Sequence, residues 1–125
     1  ERGARVTLPV VEAKERPLTF REWTPDATLV PGVWNIPVPV DGEVLEPTVV
    51  ISPLVGFDRA LYRLGYGGGF FDRTLQELFR RDMRPRVIGV GHSRTAIPTI
   101  YPQPHDIPMT DVITERGVWE SNKPR

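Results

Sequence analysis

The protein has 125 residues, enough for one domain with a buried core. Its 16 basic and 16 acidic side chains give a formal net charge of zero, which excludes a global attraction to nucleic acid or to a membrane surface. The absence of cysteine excludes disulfides, thiolate catalysis and cysteine-ligated metals. Because no apolar run is long enough to span a bilayer and no signal peptide is visible, we expect a cytoplasmic protein.

Two segments near the start of the chain predict strands. Residues 4–11 form a continuous apolar run rich in Val and Leu, which indicates a buried strand. Residues 18–23 alternate apolar and polar side chains, as a half-exposed strand does. We expect the two segments to form either a hairpin or a short excursion at one edge of a sheet.

The chain contains 14 prolines, which exclude long helices from most of its length. The proline-rich stretch 24–48 has extended character around Trp34, since a residue before proline avoids the helical region. This stretch is too apolar for a linker, so we expect it to pack along the wall of the domain. Trp34 is placed to stack on a flat ligand, although a tryptophan that packs against the protein is the more common case.

A strand–helix–strand pattern occupies the middle of the chain. Residues 48–55 and 86–91 predict buried strands, and residues 74–83 between them carry apolar side chains at helical spacing. Asp72 is the predicted N-cap of this helix. A short final strand is expected at 111–114. This order favours an α/β domain with a largely parallel sheet, in which ligands bind beyond the carboxyl ends of the strands.

Basic residues cluster at the end of the predicted helix, and we interpret them as a solvated face suited to a helix C-terminus. They are Arg80, Arg81, Arg84 and Arg86.

The central feature is the glycine-rich stretch 62–73, Tyr-Arg-Leu-Gly-Tyr-Gly-Gly-Gly-Phe-Phe-Asp-Arg, which lies between a predicted strand and the helix. Bare backbone N–H groups in such a loop, together with the start of a helix, are suited to hold an anion. A Walker A loop is excluded because no Lys and Ser/Thr follow the glycines, and a dinucleotide fingerprint because Phe70 stands where it requires Gly. A phosphate cradle flanked by Arg63 and Arg73 remains. The alternative is a plain strand-to-helix turn.

Two carboxylates are candidate magnesium ligands. Asp72 ends the glycine-rich stretch, and Asp106 lies on a later loop that we expect at the same edge of the sheet. Magnesium prefers carboxylates combined with phosphate oxygens and water. The alternative is that Asp72 only caps the helix and Asp106 only shapes a turn. Zinc and Ser/His/Asp hydrolysis are disfavoured, since the two histidines are far apart and no serine lies in a nucleophile elbow.

The glycine-rich stretch and the preceding Pro53-Leu54-Val55-Gly56-Phe57-Asp58 resemble the signature of the 5-formyltetrahydrofolate cyclo-ligases, also called methenyltetrahydrofolate synthetases. Further similar blocks follow the family order and extend the resemblance over nearly the whole chain. They are residues 8–11, 17–23, 32–37, 104–109 and 113–115. The resemblance implies a Rossmann-like three-layer α/β domain whose mostly parallel sheet is flanked by helices.

The resemblance also implies an activity. Members of this family use MgATP to convert 5-formyltetrahydrofolate to 5,10-methenyltetrahydrofolate, with release of ADP and phosphate. ATP phosphorylates the formyl oxygen, and the neighbouring folate nitrogen then closes the ring and expels phosphate. Such a reaction needs positioning and charge neutralisation more than covalent help. Arg63 and Asp72 are the expected catalytic residues.

The same resemblance implies three sets of binding residues. ATP is expected at Arg63, Leu64, Gly65, Tyr66, Gly67, Gly68, Gly69, Phe70, Phe71 and Arg73. The reduced folate, the expected small-molecule partner, is expected at Trp34, Tyr66, Gly67, Gly68, Gly69 and Phe70. Magnesium is expected at Asp72 and Asp106. Two alternatives stay open: a non-catalytic nucleotide- or folate-binding module of the same fold, and a structural domain with a glycine turn.

Several positions depart from the family pattern. Ala60-Leu61 replaces Arg-Gly, Phe71 replaces a tyrosine, and Thr95 replaces a glutamine. Thr110 takes the place of an aspartate, and Asp111 follows one residue later. In a strand, such a shift turns the carboxylate to the opposite face, which makes a role for Asp111 in the site doubtful.

A further departure concerns the start of the chain, where family members carry a leading helical segment. Glu1-Arg2-Gly3 has the pattern of a helix end with a glycine cap. We therefore expect residues 1–125 to form a single cyclo-ligase-like domain that is incomplete at its N-terminus. Helices missing from one sheet face would leave apolar surface exposed, so we expect the isolated chain to associate and to have little activity.

Overall fold

The computed structural model describes residues 3–65, 69–104 and 106–120. The strands are β1 (Thr7–Val10), β2 (Thr19–Glu22), β3 (Leu29–Pro31), β4 (Pro37–Pro39), β5 (Val49–Pro53), β6 (Gly56–Phe57), β7 (Arg63–Leu64), β8 (Arg86–Val90), β9 (Asp111–Thr114) and β10 (Gly117–Glu120). The α-helix α1 spans Phe70–Arg80, and short 3-10 helices span Val33–Asn35 and Ser93–Thr95.

The main sheet has four strands in the order β10–β9–β8–β5. The pairs β5–β8 and β8–β9 are parallel, with Ile51 opposite Ile88 and Val90 opposite Ile113. The edge strand β10 is antiparallel to β9. The helix α1 lies between β5 and β8 in the chain, as a parallel connection requires. The α/β class with a mostly parallel sheet is therefore confirmed.

One face of this sheet is covered by the hydrophobic core. Its members come from the sheet, from α1 and from the loops beside them: Phe57, Leu61, Leu75, Val87, Met109 and Val112. Burial alternates along β5, where Val50 and Ser52 are buried while Val49 and Ile51 are exposed. The predicted buried strands are therefore only partly buried: β5 and β8 are packed on one face, and β1, in a separate hairpin, has a single buried residue, Val10.

The opposite face carries exposed apolar side chains from all four strands, and we call it the open sheet face. These residues are Val49, Ile51, Val90, Ile113 and Val118. The pairing of Val90 with Ile113, and of Ile113 with Val118, puts them on one side of the sheet. The exposed apolar surface expected from the sequence is thus observed.

The helix α1 begins four residues earlier than predicted, at Phe70. Its N-cap is Gly69, which adopts a left-handed conformation with φ of 70° that only glycine tolerates readily. Asp72 therefore lies in the first turn, and the prediction that it is the N-cap is wrong. The apolar stripe is confirmed, since Leu75 and Leu78 are buried.

Two hairpins precede the main sheet. Strands β1 and β2 pair antiparallel, which confirms the hairpin expected near the start of the chain, and β3 pairs antiparallel with β4. The first hairpin is joined to α1 by Thr74, whose Oγ1 accepts a hydrogen bond from the Leu18 N–H at 2.8 Å and donates one to the Phe70 carbonyl at 2.6 Å.

The basic cluster after α1 is exposed, as expected, and it is held by ion pairs. Arg80 pairs with Glu77 at 2.7 Å, and Arg81 pairs with Glu46 at 3.0 Å. Arg84 lies over the ring of Phe79. In the part of the chain that the structure describes, no helix has the length and apolar character needed to cross a membrane.

Candidate functional site

A cavity of about 680 Å³ lies beside the carboxyl end of β5 and the start of α1. One wall is apolar and comes from the first 38 residues: Pro9, Val11, Leu18, Val33, Trp34, Ile36 and Val38. The part that we call the floor comes from the end of β5, the glycine-rich stretch and the first turn of α1: Pro53, Arg63, Leu64, Gly65, Gly69, Phe70, Phe71 and Asp72. A further group of lining residues, which we call the far wall, comes from a later segment and consists of Ile100, Tyr101, Gln103 and Asp106. A cavity lined by both apolar and charged side chains suits a ligand that has both characters.

Most of the residues predicted for the site lie around this one cavity, although they are distant in the chain. They are Trp34, Arg63, Leu64, Gly65, Gly69, Phe70, Phe71, Asp72 and Asp106. Tyr66, Gly67 and Gly68 lie outside the described residues. Arg73 is not part of the lining; its Nη1 atom lies behind Gly69, 3.3 Å from the position that a Cβ there would take.

Arg63 contributes a positive charge to the floor of the cavity, and three contacts fix the position of its guanidinium. Its Nε donates to the Pro53 carbonyl at 2.9 Å, and its guanidinium carbon lies 4.8 Å from the centre of the Phe71 ring. A Cβ at Gly65 would come within 2.8 Å of both Nη atoms, so the guanidinium occupies the space that glycine leaves open. Burial lowers the pKa of Arg63, and the charge of Asp72 opposes this shift.

The two candidate magnesium ligands reach the cavity from different elements. Asp72 comes from the first turn of α1, where a carboxylate is also favoured by the helix dipole. Asp106 comes from the far wall, and its Oδ2 accepts a hydrogen bond from the Gln103 N–H at 2.8 Å. Asp106 therefore shapes a turn and lines the cavity at once.

The donor set fits magnesium bound together with a phosphate ligand. Within residues 3–65, 69–104 and 106–120, no group of three or more His, Cys, Asp or Glu side chains is placed to hold a metal. Magnesium does not need such a cage, because it binds through one or two carboxylates, with phosphate oxygens and water completing its coordination. Asp72 and Asp106, which both line the cavity, are carboxylates of this kind.

Trp34 lies on the rim of the cavity in a left-handed backbone conformation, with φ of 55°. Its side chain is exposed, at 59%, and contacts the ring of Phe70 edge to face with 5.7 Å between centroids. Trp34 is therefore largely exposed rather than buried against the domain, and the 33–36 segment borders the cavity. A strained, exposed tryptophan at a cavity is typical of a ligand-contacting position.

Sequence reasoning did not identify the far wall apart from Asp106. Tyr101 is 80% exposed and has φ of 55°, and Gln103 and Ile100 lie beside it. The proline-rich run around these residues has no periodic pattern, so the sequence carries no local signal for them. Apart from Trp34, the apolar wall was not predicted either, since its hydrophobic residues have the pattern of core residues.

The model of the 5-formyltetrahydrofolate cyclo-ligase family matches residues 1–115, which is nearly the whole chain. The chain belongs to this family. It is 36% identical over 124 residues to the 5-formyltetrahydrofolate cyclo-ligase of Escherichia coli K12, covering 94% of this chain and 67% of the relative. It is 34% identical to the cyclo-ligase of Mycolicibacterium smegmatis, covering 94% of this chain and 64% of the relative.

The fold is also similar to that of a solved cyclo-ligase. The NMR structure of 5,10-methenyltetrahydrofolate synthetase from Aquifex aeolicus superposes with a TM-score of 0.77 at 28% identity, covering 99% of this chain and 62% of that one. The chain thus spans about two thirds of the length of the cyclo-ligases that it matches.

Four of the positions that depart from the cyclo-ligase pattern have defined local surroundings in the structure. Leu61 is buried in the core with φ of 65°, where the family pattern has Gly. Phe71 lacks the hydroxyl of tyrosine but keeps the ring that contacts Arg63. Thr110 Oγ1 accepts a hydrogen bond from the Val87 N–H. Asp111 is buried and pairs with Arg86 rather than lining the cavity.

Proposed function

We propose that the protein is an ATP-dependent 5-formyltetrahydrofolate cyclo-ligase, which forms 5,10-methenyltetrahydrofolate and releases ADP and phosphate. One observation carries the proposal: the glycine-rich stretch, the Trp34 segment and the Asp106 segment border the same cavity, which is lined by both apolar and charged side chains. Membership of the cyclo-ligase family supports the same reaction.

The apolar wall and Trp34 are suited to the ring system of the folate. An exposed indole offers a flat surface for stacking, and the aliphatic side chains of the wall exclude water around it. Phe70 contacts Trp34 and extends this surface to the start of α1. The formyl end of the folate would then face the glycine-rich stretch.

Arg63 and the start of α1 are suited to the phosphates of ATP. The guanidinium is held in place by Pro53 and Phe71, so its remaining N–H groups are oriented before the nucleotide binds. The formyl oxygen attacks the γ-phosphorus and ADP leaves. The neighbouring folate nitrogen then attacks the formyl carbon and loses its proton, and the C–O bond to the phosphate breaks, which closes the ring and releases phosphate. The protein contributes alignment and charge neutralisation.

Magnesium belongs to the proposal as the partner of ATP. Asp72 and Asp106 would hold it, and it would neutralise charge on the phosphate oxygens. The role of Arg73 in ATP binding and the cytoplasmic location stay predictions, as does the organisation of residues 1–125 as one domain incomplete at its N-terminus.

The decisive experiment compares Asp72→Asn with the wild-type protein. ATP hydrolysis is measured together with the absorbance change that accompanies methenyl formation, and thermal unfolding is measured in parallel. We expect turnover to collapse at near-normal stability, since Asp72 is not the N-cap and its helix-dipole contribution is only about 0.3–1 kcal/mol. The matched control is Asp82→Asn, which makes the same chemical change at a carboxylate that is 98% exposed after α1.

Three outcomes would contradict the proposal. Full turnover by Asp72→Asn would remove this carboxylate from the reaction. Binding of ATP and 5-formyltetrahydrofolate by the wild-type protein without any absorbance change would favour the alternative, a non-catalytic binding module. A wild-type melting temperature unaffected by MgATP would favour a structural domain.

A further inference from the structure

Asp58 is a buried carboxylate, 4% exposed, in the turn between β6 and β7. It does not line the cavity. Its Oδ1 accepts hydrogen bonds from the N–H groups of Ala60 and Tyr62, both at 3.0 Å. Its Oδ2 accepts a hydrogen bond from the Ile100 N–H at 3.2 Å. The two oxygens therefore bind two segments that lie 42 residues apart in the chain.

The Oδ1 contacts shape the turn itself. The turn holds Leu61 in a left-handed conformation, and the Leu61 carbonyl accepts a hydrogen bond from the Met109 N–H at 2.8 Å. The strand that leaves the turn is β7, which begins with Arg63. The position of Arg63 in the cavity thus depends on this turn.

The Oδ2 contact reaches the far wall. Ile100 is the first residue of that wall, and Tyr101 and Asp106 follow it. The segment is also joined to the same hairpin by the Ile97 N–H, which donates to the Phe57 carbonyl at 2.9 Å. Asp58 therefore attaches the far wall to the hairpin that carries Arg63, at a point next to the left-handed Tyr101.

We propose that Asp58 is a positioning residue, which sets the distance between Arg63 on the floor and Asp106 on the far wall. The inference rests on the proposed function, since it assumes that both residues act on the same MgATP. Asp58 touches neither the nucleotide nor the folate in this role. It acts through the Ile100 N–H.

Asp58→Asn separates the two tasks of the carboxylate. The amide oxygen can still accept from Ala60 and Tyr62, while the NH₂ group faces the Ile100 N–H, so that two donors oppose each other. We expect faster hydrogen exchange at the Ile100 amide and retained protection at Tyr62, measured by NMR. Misplacement of the far wall should lower kcat/KM for MgATP by about 10- to 100-fold, mainly through KM.

The KM readout separates positioning from a merely structural role, which would reduce the amount of active protein but leave KM for MgATP unchanged. Asp82→Asn is again the matched control and should leave both measurements as in the wild-type protein. Asp58→Ser is the second variant, because its hydroxyl can close the turn but cannot reach Ile100. Asp58→Ser should also show faster hydrogen exchange at the Ile100 amide and a higher KM for MgATP. In this variant no side-chain donor faces the Ile100 N–H.

Unchanged protection of the Ile100 amide in Asp58→Asn would overturn the proposal, as would an unchanged KM for MgATP in either folded variant. Loss of the folded state in both variants would assign Asp58 to folding and overturn it equally. If the wild-type protein lacks turnover, the proposed reaction fails. In that case, two results would still support the positioning role. The Asp58→Asn substitution would change backbone amide chemical shifts only in the far wall, and it would weaken the binding of MgATP.

Discussion

At the scale of single residues, the contact between Arg63 and Phe71 is the most direct link between a family motif and the geometry of the cavity. Phe71→Leu keeps an apolar side chain but removes the aromatic face beneath the guanidinium. Because a cation–π contact contributes about 0.5–2 kcal/mol, we expect the KM for MgATP to rise about 2- to 30-fold. Steady-state kinetics at saturating folate measure this change.

Phe71→Tyr is the matched control, since it keeps the ring and restores the residue of the family pattern. Its KM for MgATP should stay close to that of the wild-type protein. An equal KM in the leucine and tyrosine variants would show that the ring does not orient Arg63.

Glu115 gives a prediction for pH dependence. Its carboxylate accepts hydrogen bonds from the Ser93 N–H at 2.9 Å and from the Ser93 hydroxyl at 2.6 Å, which lower the pKa of Glu115 to about 2. A lowered folded-state pKa contributes stability above the ordinary value of 4.5, and this contribution is lost as the pH falls toward 2. Glu115→Gln should therefore lower Tm near neutral pH and reduce the fall in Tm on acidification through this window.

Thermal unfolding followed by circular dichroism across that pH window tests the Glu115 prediction. Glu15→Gln, at an exposed position in the turn after β1, is the control and should leave the pH profile unchanged. Identical profiles for Glu115→Gln and the wild-type protein would contradict it.

At the scale of elements, Thr74 joins α1 to the first hairpin, which supplies part of the apolar wall. Thr74→Val preserves the shape of the side chain but leaves the buried Leu18 N–H without its acceptor. Loss of such a bond costs about 1–3 kcal/mol, so we expect the free energy of unfolding in urea to fall by that amount.

Thr74→Ser distinguishes the contribution of the hydroxyl group to stability from that of the methyl group. It keeps both hydrogen bonds and loses one methyl group, which is worth about 0.8 kcal/mol when buried. Serine should therefore be less destabilising than valine. The reverse order would show that packing of the methyl group, and not the bond to Leu18, holds the hairpin against α1.

At the scale of the whole molecule, the open sheet face dominates the expected solution behaviour. Five exposed apolar side chains from four adjacent strands lie on one side of the sheet, and Ile51, on the edge strand β5, is 66% exposed. Surfaces of this kind drive association in water. We expect the isolated chain to self-associate with increasing concentration, measured by sedimentation velocity.

The double substitution of Ile51 and Val118 by threonine should reduce this association, because it makes the open sheet face more polar and keeps β-branched residues in the strands. Val6→Thr alters an exposed valine outside the open sheet face and should have no such effect. A wild-type chain that stays monomeric at high concentration would contradict the prediction.

The sequence was most informative where a structure depends on neighbouring residues. The hairpin of β1 and β2, the apolar stripe of α1 and the parallel strands follow from patterns a few residues long, and the structure confirms them. The glycine-rich motif was specific enough to indicate the family, which the match over residues 1–115 establishes. The predicted start of α1 was wrong, although it too depends on neighbouring residues, because the left-handed Gly69 lets the helix begin directly after the glycines.

By itself, therefore, the sequence determined the fold class, the family and the motif around which a site is expected. The tertiary structure alone decided which strand faces are buried, that Trp34 borders a cavity, and that Asp58 reaches Ile100. The physical reason is that burial and long-range hydrogen bonds depend on what packs against a residue. That neighbour comes from elsewhere in the chain, so no local pattern around the residue encodes it.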